Sequence, residues 1–281
     1  VDETYNPTDS DNDGDLDGPL AVGSGRAGIR VDGPLTGKIV HTGVITVEGN
    51  QSAGIAVNGP LTGSFVHDGK TTVTGNESVG VALGDVTGPV RLAGQITTTG
   101  AGTVGARLSG DLSGALVVQS AITTTGYRKT TAPADVSKLD ADDLLQGGSA
   151  LVIEGNVAGG IFFEVAPKDT KPDDKDEDKD GIQDDKEGST KIASYGAAPA
   201  VRIGATDHAI AIGETAGTAT GFGIIFDGTI LGDGVYSGIT GTGLALGGRG
   251  GSVTIAKGML IDGNITALAK NANATGIPVS Y

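Results

Sequence analysis

The chain has no cysteine and no tryptophan among its 281 residues, and aromatic residues make up only 4% of it. The absence of cysteine excludes disulfides, cysteine-ligated zinc and thiol catalysis. Because aromatic rings are scarce, the core must be built from thin, repeated layers of Val, Ile, Leu and Ala. No signal peptide and no apolar stretch of about 18 residues is present, so we expect no direct membrane insertion by this segment.

Positive charge is also scarce. The sequence has 19 Lys and Arg against 34 Asp and Glu, which gives a net charge of −15 and a pI near 4.4. Partners that carry phosphates require clustered Lys and Arg, so nucleic acid is excluded as the main partner. The negative surface instead favours the binding of cations.

Glycine is abundant, with 50 residues where average usage of roughly 7% predicts about 20. Such an excess excludes a helical bundle, because each interior glycine costs roughly 1 kcal/mol relative to alanine. It suits a chain that turns every few residues, since glycine accepts turn conformations that other residues resist.

The strongest feature that is present is an internal repeat. Residues 27–52, 53–78, 79–103 and 104–128 align with one another, and each copy contains three short runs of alternating apolar and polar residues. Turn residues bound every run, and no copy has room for a crossover helix. A steady period of this kind predicts an all-β fold, a right-handed parallel β-helix with about three strands per turn, rather than a sandwich or propeller. We assign it to residues 21–281.

The repeat places equivalent residues in columns. Val31, Val57 and Leu83 are predicted to stack in the core, and Asn50 and Asn76 to form an amide ladder in a turn. His41 and His67 also share a column. We interpret them as stacked surface residues rather than as a metal-binding pair.

Two segments interrupt the period and are predicted to leave the solenoid as protruding loops. Insertion one spans residues 127–148 and has the pattern of a short helix, and insertion two spans residues 166–191. Residues 1–20 form a separate acidic segment before the solenoid. Insertions in a solenoid often carry its binding function.

Insertion two contains the stretch DEDKDGIQDDKE at residues 176–187, which has the spacing of a calcium loop. Alternate carboxylates converge on one ion, Gly181 permits the sharp bend, and the seventh residue offers its backbone carbonyl. Ca²⁺ is favoured over Mg²⁺ because Mg²⁺ retains more of its water. The alternative is an acidic linker without fixed structure. The predicted ligands are Asp176, Asp178, Asp180, Ile182, Asp184 and Glu187.

The N-terminal segment repeats this spacing in DSDNDGDLDG, residues 9–18. The twelfth position of this second loop is Leu20, so the bidentate acid is missing. Calcium is therefore the one cofactor that the sequence predicts, at both loops. The ligands of the N-terminal loop are expected to be Asp9, Asp11, Asp13, Asp15 and Asp17.

Catalysis is not predicted. Enzymes that cleave polysaccharides on this fold need paired carboxylates or a cation beside Arg or Lys in a groove. The acids of the solenoid body are sparse and isolated in sequence, for example Asp32, Glu48 and Asp85.

The repeat A-x-G-I-x-V-x-G-x-L-x-G resembles the passenger domains of bacterial autotransporters, and KLDADDLLQGGSALVIEGNVAGGIFFE is similar to large surface proteins of sphingomonad-type alphaproteobacteria in that family. The acidic loops resemble the calcium repeats of thrombospondin type 3 and of dockerins. The resemblance implies export and display on the outer surface of a Gram-negative bacterium. The expected role is a calcium-stabilised structural or adhesive rod that contacts a surface, a glycan or copies of itself. An ordered surface array and a polysaccharide-degrading enzyme are the alternatives.

Overall fold

The computed structural model is a parallel β-helix of three seven-stranded sheets, which we name sheets A, B and C. Within each sheet, neighbouring strands are parallel and come from consecutive turns, which confirms the predicted fold class. The structure describes residues 8–10, 12, 17–126, 129–137, 139–168, 170–171, 173–177, 183–216, 218, 220–271 and 274–277.

The strands follow one another around each turn in the order A, B, C. Sheet A contains Ala27–Val31, Ala53–Val57, Val79–Leu83, Val104–Leu108, Leu151–Ile153, Val201–Ile203 and Leu244–Leu246. Sheet B contains Ile39–His41, Phe65–His67, Val90–Leu92, Leu116–Val118, Ile161–Phe163, Ile224–Phe226 and Met259–Ile261. Sheet C contains Val44–Glu48, Lys70–Thr74, Gln95–Thr99, Ala121–Thr125, Lys191–Tyr195, Thr229–Ser237 and Asn264–Lys270.

Shorter strands pair at the corners between the sheets, and one short 3₁₀ helix lies in insertion two, at Asp184–Lys186. The corner pairs are Leu35–Thr36 with Leu61–Thr62, Ile210–Ile212 with Val253–Ile255, and Gly241–Thr242 with Ala274–Thr275.

The core is a set of inward-facing columns that run along the solenoid. Val31, Val57 and Leu83 are register partners in sheet A, and the last two are essentially buried, as predicted. In sheet B the only large aromatic contact of the described core joins Phe163 and Phe226, whose rings lie 5.4 Å apart edge to face. Each turn of the solenoid packs only on the turns next to it, so the space inside a turn is narrow. Aliphatic side chains are large enough to fill this space.

Glycine is required where consecutive turns approach most closely. A Cβ at Gly63 would lie 1.9 Å from the carbonyl oxygen of Gly37 in the preceding turn, and the φ of Gly63 is +146°. A Cβ at Gly54 would lie 2.3 Å from the Thr71 methyl group of sheet C. These contacts give a physical reason for part of the glycine excess.

Side-chain amides extend the hydrogen bonding between turns. Asn50 Oδ1 accepts a hydrogen bond from the Asn76 backbone N–H at 2.8 Å, and Asn76 Oδ1 accepts one from Ala101 N–H at 2.8 Å. The two asparagines thus share a column as predicted, although each side-chain oxygen binds a backbone N–H rather than the next side-chain amide. These bonds satisfy backbone donors at a corner where the chain has left the sheet.

The histidine column is buried, and its assignment to the surface was wrong. His41 pairs with His67 in sheet B, and both side chains point inward, with exposures of 7% and 0%. Their ring centroids lie 4.9 Å apart, and His67 Nε2 lies 2.8 Å from Thr71 Oγ1. The next residue of this column is Leu92. The polar chemistry of histidine misled the prediction, whereas the strand turns the apolar Val40 outward, where it is 51% exposed.

Both insertions leave the solenoid at corners. Insertion one lies between the sheet C strand Ala121–Thr125 and the sheet A strand Leu151–Ile153, and insertion two lies between sheet B and sheet C. The expected short helix is absent from the described part of insertion one. Asp140 Oδ1 instead accepts a hydrogen bond from Asp142 N–H at 3.0 Å, and this side-chain contact competes with helical hydrogen bonding.

Candidate cation sites

Two of the five predicted ligands of the N-terminal loop lie in the described chain. Asp17 closes this loop, because its N–H donates to Thr8 O at 3.0 Å and its carboxylate accepts hydrogen bonds from the N–H and hydroxyl of Ser10. Asp9 is exposed. The remaining three predicted ligands lie outside the described residues: Asp11, Asp13 and Asp15.

Asp17 meets two carboxylates that the sequence reasoning did not assign to a site. One oxygen each of Asp17, Asp140 and Asp142 lies within 4.8 Å of the others. Gly18 N–H donates to Asp142 Oδ2 at 3.1 Å and holds the N-terminal segment against insertion one. Hydrogen bonding to Asp142 lowers the pKa of Asp140, while the charge of Asp17 opposes that change. The three carboxylates together could supply part of the oxygen shell of a hard cation.

The acidic pattern DADD of insertion one was the signal available in the sequence for this contact. Nothing in the sequence says that residues separated by more than a hundred positions come together, because both lie outside the repeat. The repeat predicts contacts only between equivalent positions of neighbouring turns.

Three predicted ligands of the insertion-two loop lie in the described chain, namely Asp176, Asp184 and Glu187. Asp178, Asp180 and Ile182 lie outside the described residues. Asp184 is only 9% exposed, and its N–H donates to Lys175 O at 2.9 Å. The loop is therefore curled, which brings its two ends together as a calcium loop requires.

Glu177 is a further acidic residue of this loop that the spacing rule did not select. Its N–H donates to Asp184 Oδ1 at 3.2 Å, and a hydrogen bond with the Asp184 side chain is the largest cause of its lowered pKa. Its Oε1 accepts hydrogen bonds from the N–H groups of Thr170 and Lys171 at 2.7 and 3.1 Å.

Several carboxylate oxygens of this loop are shielded from solvent. One oxygen each of Asp176, Glu177, Asp184 and Glu187 has almost no accessible surface. Removing carboxylates from water is costly, and bringing several of them together adds repulsion, unless positive charge is close by. A cleft of about 430 Å³ opens beside them and is lined by Pro167, Lys175, Gln183, Asp184 and Asp185.

A buried glutamine ties insertion two to the solenoid body. Gln119 is 1% exposed, and its Nε2 donates to Glu164 Oε2 at 2.9 Å and to Glu187 Oε1 at 2.6 Å. Its Oε1 accepts a hydrogen bond from Arg91 Nε at 2.8 Å. Glu187 is thereby held at the base of the loop, although the spacing rule expects it to bind the ion with both oxygens.

No protein-family model matches the sequence, and neither a curated protein nor a solved structure is detectably similar to this chain. Within the described ranges, none of the helical segments has the length and apolar character needed to cross a membrane.

Proposed function

We propose that this chain is a calcium-stabilised structural or adhesive segment of an exported bacterial surface protein. The insertion-two loop carries the proposal, because calcium-type spacing coincides there with carboxylate oxygens that are shielded from water. A bound Ca²⁺ would offset the repulsion among Asp176, Glu177 and Asp184 and would keep the loop ordered. The same ion chemistry at Asp17, Asp140 and Asp142 would fasten the N-terminal segment to insertion one.

The surface role is supported by the architecture and by the composition. A parallel β-helix is the fold that the resemblance to autotransporter passengers implies, and the absence of cysteine suits a chain that crosses membranes unfolded. The incomplete ligand set of the N-terminal loop suits an extracellular module, since such modules bind calcium with dissociation constants of about 10⁻⁴–10⁻³ M. The proposed location is therefore the outer surface of a Gram-negative cell, with a surface, a glycan or another copy of the chain as partner.

Calcium titration tests the cofactor. Isothermal titration of the purified chain is expected to show Ca²⁺ binding, and chelator is expected to lower the melting temperature. The double variant D176N/D184N should lose the ion of insertion two and expose residues 168–187 to protease. The control D262N changes an exposed acid in the last turn and should behave like the wild type. Equal melting curves in calcium and in chelator would refute the proposal.

An adhesion assay tests the role. Beads coated with the protein should cluster or attach to bacterial cells in calcium, and should lose this property in chelator or with D176N/D184N. If wild-type beads neither cluster nor attach to cells in calcium, the adhesive role is wrong.

One observation favours an array subunit as the second candidate. The outermost described strand of sheet B, Met259–Ile261, leaves Leu260 and Ile261 39% and 40% exposed. An exposed strand of this kind pairs readily with another chain or with a further turn of the same solenoid. Sedimentation in calcium distinguishes the two roles, since an array subunit forms large assemblies at concentrations where an adhesin stays monomeric.

A further inference from the structure

Three arginines gather on the outer face of sheet A, in a protein whose net charge is −15. Arg107 and Arg202 lie in one outward-facing column, on either side of Val152. Two strand spacings therefore separate their backbones, about 10 Å. Arg249 follows the next strand of the sheet and reaches the same place from its loop. We refer to Arg107, Arg202 and Arg249 as the arginine cluster.

Glu154 is the carboxylate that pairs with this cluster among the described residues. Glu154 Oε1 is 2.9 Å from Arg249 Nη1, and Glu154 Oε2 is 3.9 Å from Arg107 Nε. One glutamate thus accompanies three guanidinium groups, which leaves the cluster with an excess of positive charge while the whole chain is strongly negative. Coulomb repulsion disfavours such a grouping unless a further anion joins it.

Arg202 is the arginine of the cluster that forms no ion pair with Glu154. It is half-buried, and none of the described residues accepts a hydrogen bond from its side chain. Burial and the charge of Arg249 both lower the pKa of Arg202, and the charge of Glu154 only partly opposes them. A guanidinium carries five donors in a planar fork that matches an oxyanion.

The neighbouring charges restrict the size of the anion. His208 lies at the edge of the cluster, with Nε2 2.9 Å from Glu154 O and Nδ1 2.7 Å from the exposed carboxylate of Asp207. The charge of Asp111 is also close enough to help raise the pKa of His208. Asp207 and Asp111 would repel the outer charges of an extended polyanion. A ligand with one anionic group is small enough to contact the arginines without approaching these acids.

We infer that the arginine cluster is a binding site for one small oxyanion, a sulfate, phosphate or carboxylate group that is free or carried on an otherwise uncharged ligand. Arg202 presents its fork to the anion, and Arg107 and Arg249 flank it while they share Glu154. The site is independent of the calcium loops, which leave the solenoid at the other two corners.

Titration with inorganic sulfate at constant ionic strength tests the site, with the arginine Nε–Hε resonances as the readout. We expect saturable shifts of the cluster arginines with a dissociation constant on the order of 1 mM. R202Q should weaken sulfate binding at least tenfold, because it removes a charge-assisted hydrogen-bonding partner. R202K should weaken it less, since it keeps the charge and loses the fork. E154Q should tighten binding, since it removes the competing carboxylate.

The matched control is R30Q. Arg30 lies in the same outward column in the first turn and is paired with Asp32 at 2.9 Å, so its loss should leave sulfate binding unchanged. Inorganic phosphate and acetate should compete with sulfate, and tripolyphosphate should bind no more tightly than phosphate. If R202Q binds sulfate like the wild type, or if R30Q weakens binding as much as R202Q, the site does not exist as described. Much tighter binding of tripolyphosphate would refute the restriction to a single small group.

Discussion

Acid should destabilise the first turns of the solenoid through His67. Its ring is completely buried, with His41 stacked on one side, Leu92 on the other and the Thr71 hydroxyl beside Nε2. Among the described residues, no carboxylate forms a hydrogen bond or an ion pair with this ring. Burial, and then the charge of His41, lower the pKa of His67 from 6.5 to about 4. Burial also lowers the pKa of His41.

The sign and size of the effect follow from proton linkage. Above pH 6.5 both the folded and the unfolded chain carry neutral His67, so stability does not depend on it. Below pH 6.5 His67 of the unfolded chain is protonated, whereas His67 of the folded chain stays neutral until the pH falls to about 4. Since each pKa unit is worth about 1.4 kcal/mol, the loss is about 2 kcal/mol at pH 5 and about 3 kcal/mol below pH 4.

Amide hydrogen exchange of the strands Phe65–His67 and Lys70–Thr74 is the appropriate assay, because terminal turns of a solenoid can open locally. The H67L variant carries at this position the residue type that Leu92 provides in the next turn. The free energy of local opening should fall between pH 7.5 and pH 5 by about 2 kcal/mol more in the wild type than in H67L. H208L is the distant control, because exposed His208 lies several turns away and its loss should leave the exchange of these two strands unchanged. If H67L and the wild type lose protection equally between the two pH values, the reasoning is wrong.

Three further substitutions test the packing, each by urea unfolding beside a matched control. G63A should lower the free energy of unfolding by about 1–3 kcal/mol, because its Cβ would meet Gly37 O and because the φ at this position is positive. In the control G33A the Cβ meets no atom within 4 Å, so the loss of stability should be small. F163A should cost about 3–5 kcal/mol through the cavity it leaves, and the outward-facing F162A much less. Q119L should cost about 1–3 kcal/mol and open insertion two to protease, whereas Q95L, at an exposed position, should do neither. Equal effects of variant and control would contradict the assigned contact in each case.

The fold could be predicted because the repeat fixes which residues stack. Val31, Val57 and Leu83 became register partners simply because each lies 26 residues after the last. The direction of a side chain was harder to predict at polar positions. His67 was assigned to the surface by its chemistry, yet its place in a three-residue strand turns it inward, where one hydroxyl and one ring accommodate it.

The candidate sites could be predicted only where their ligands are neighbours in sequence. The spacing of Asp176, Asp184 and Glu187 is a local pattern, and the curled loop is consistent with it. The meeting of Asp17 with Asp140 depends on how insertion one folds back, and periodicity carries no information about that. The arginine cluster was missed for a related reason, because insertion one changes the spacing between Arg107 and Val152 from the usual 26 residues to 45.

The three sheets explain how the proposed cation loops and the proposed anion site can lie apart on one acidic chain. Equivalent residues of successive turns form columns along each corner and each face of the solenoid. A residue therefore contacts mainly its equivalents in the neighbouring turns. Insertion one leaves between sheets C and A and insertion two between sheets B and C, while Glu154 and Arg249 follow sheet A strands at the remaining corner. The acidic clusters of the insertions and the arginine cluster thus lie at different corners. Because salt screens exposed charges over about 8–10 Å, removal of calcium should weaken the two acidic corners without altering sulfate binding on sheet A. Sulfate titration in chelator measures that separation directly, and a shift in sulfate affinity would show that the corners are coupled.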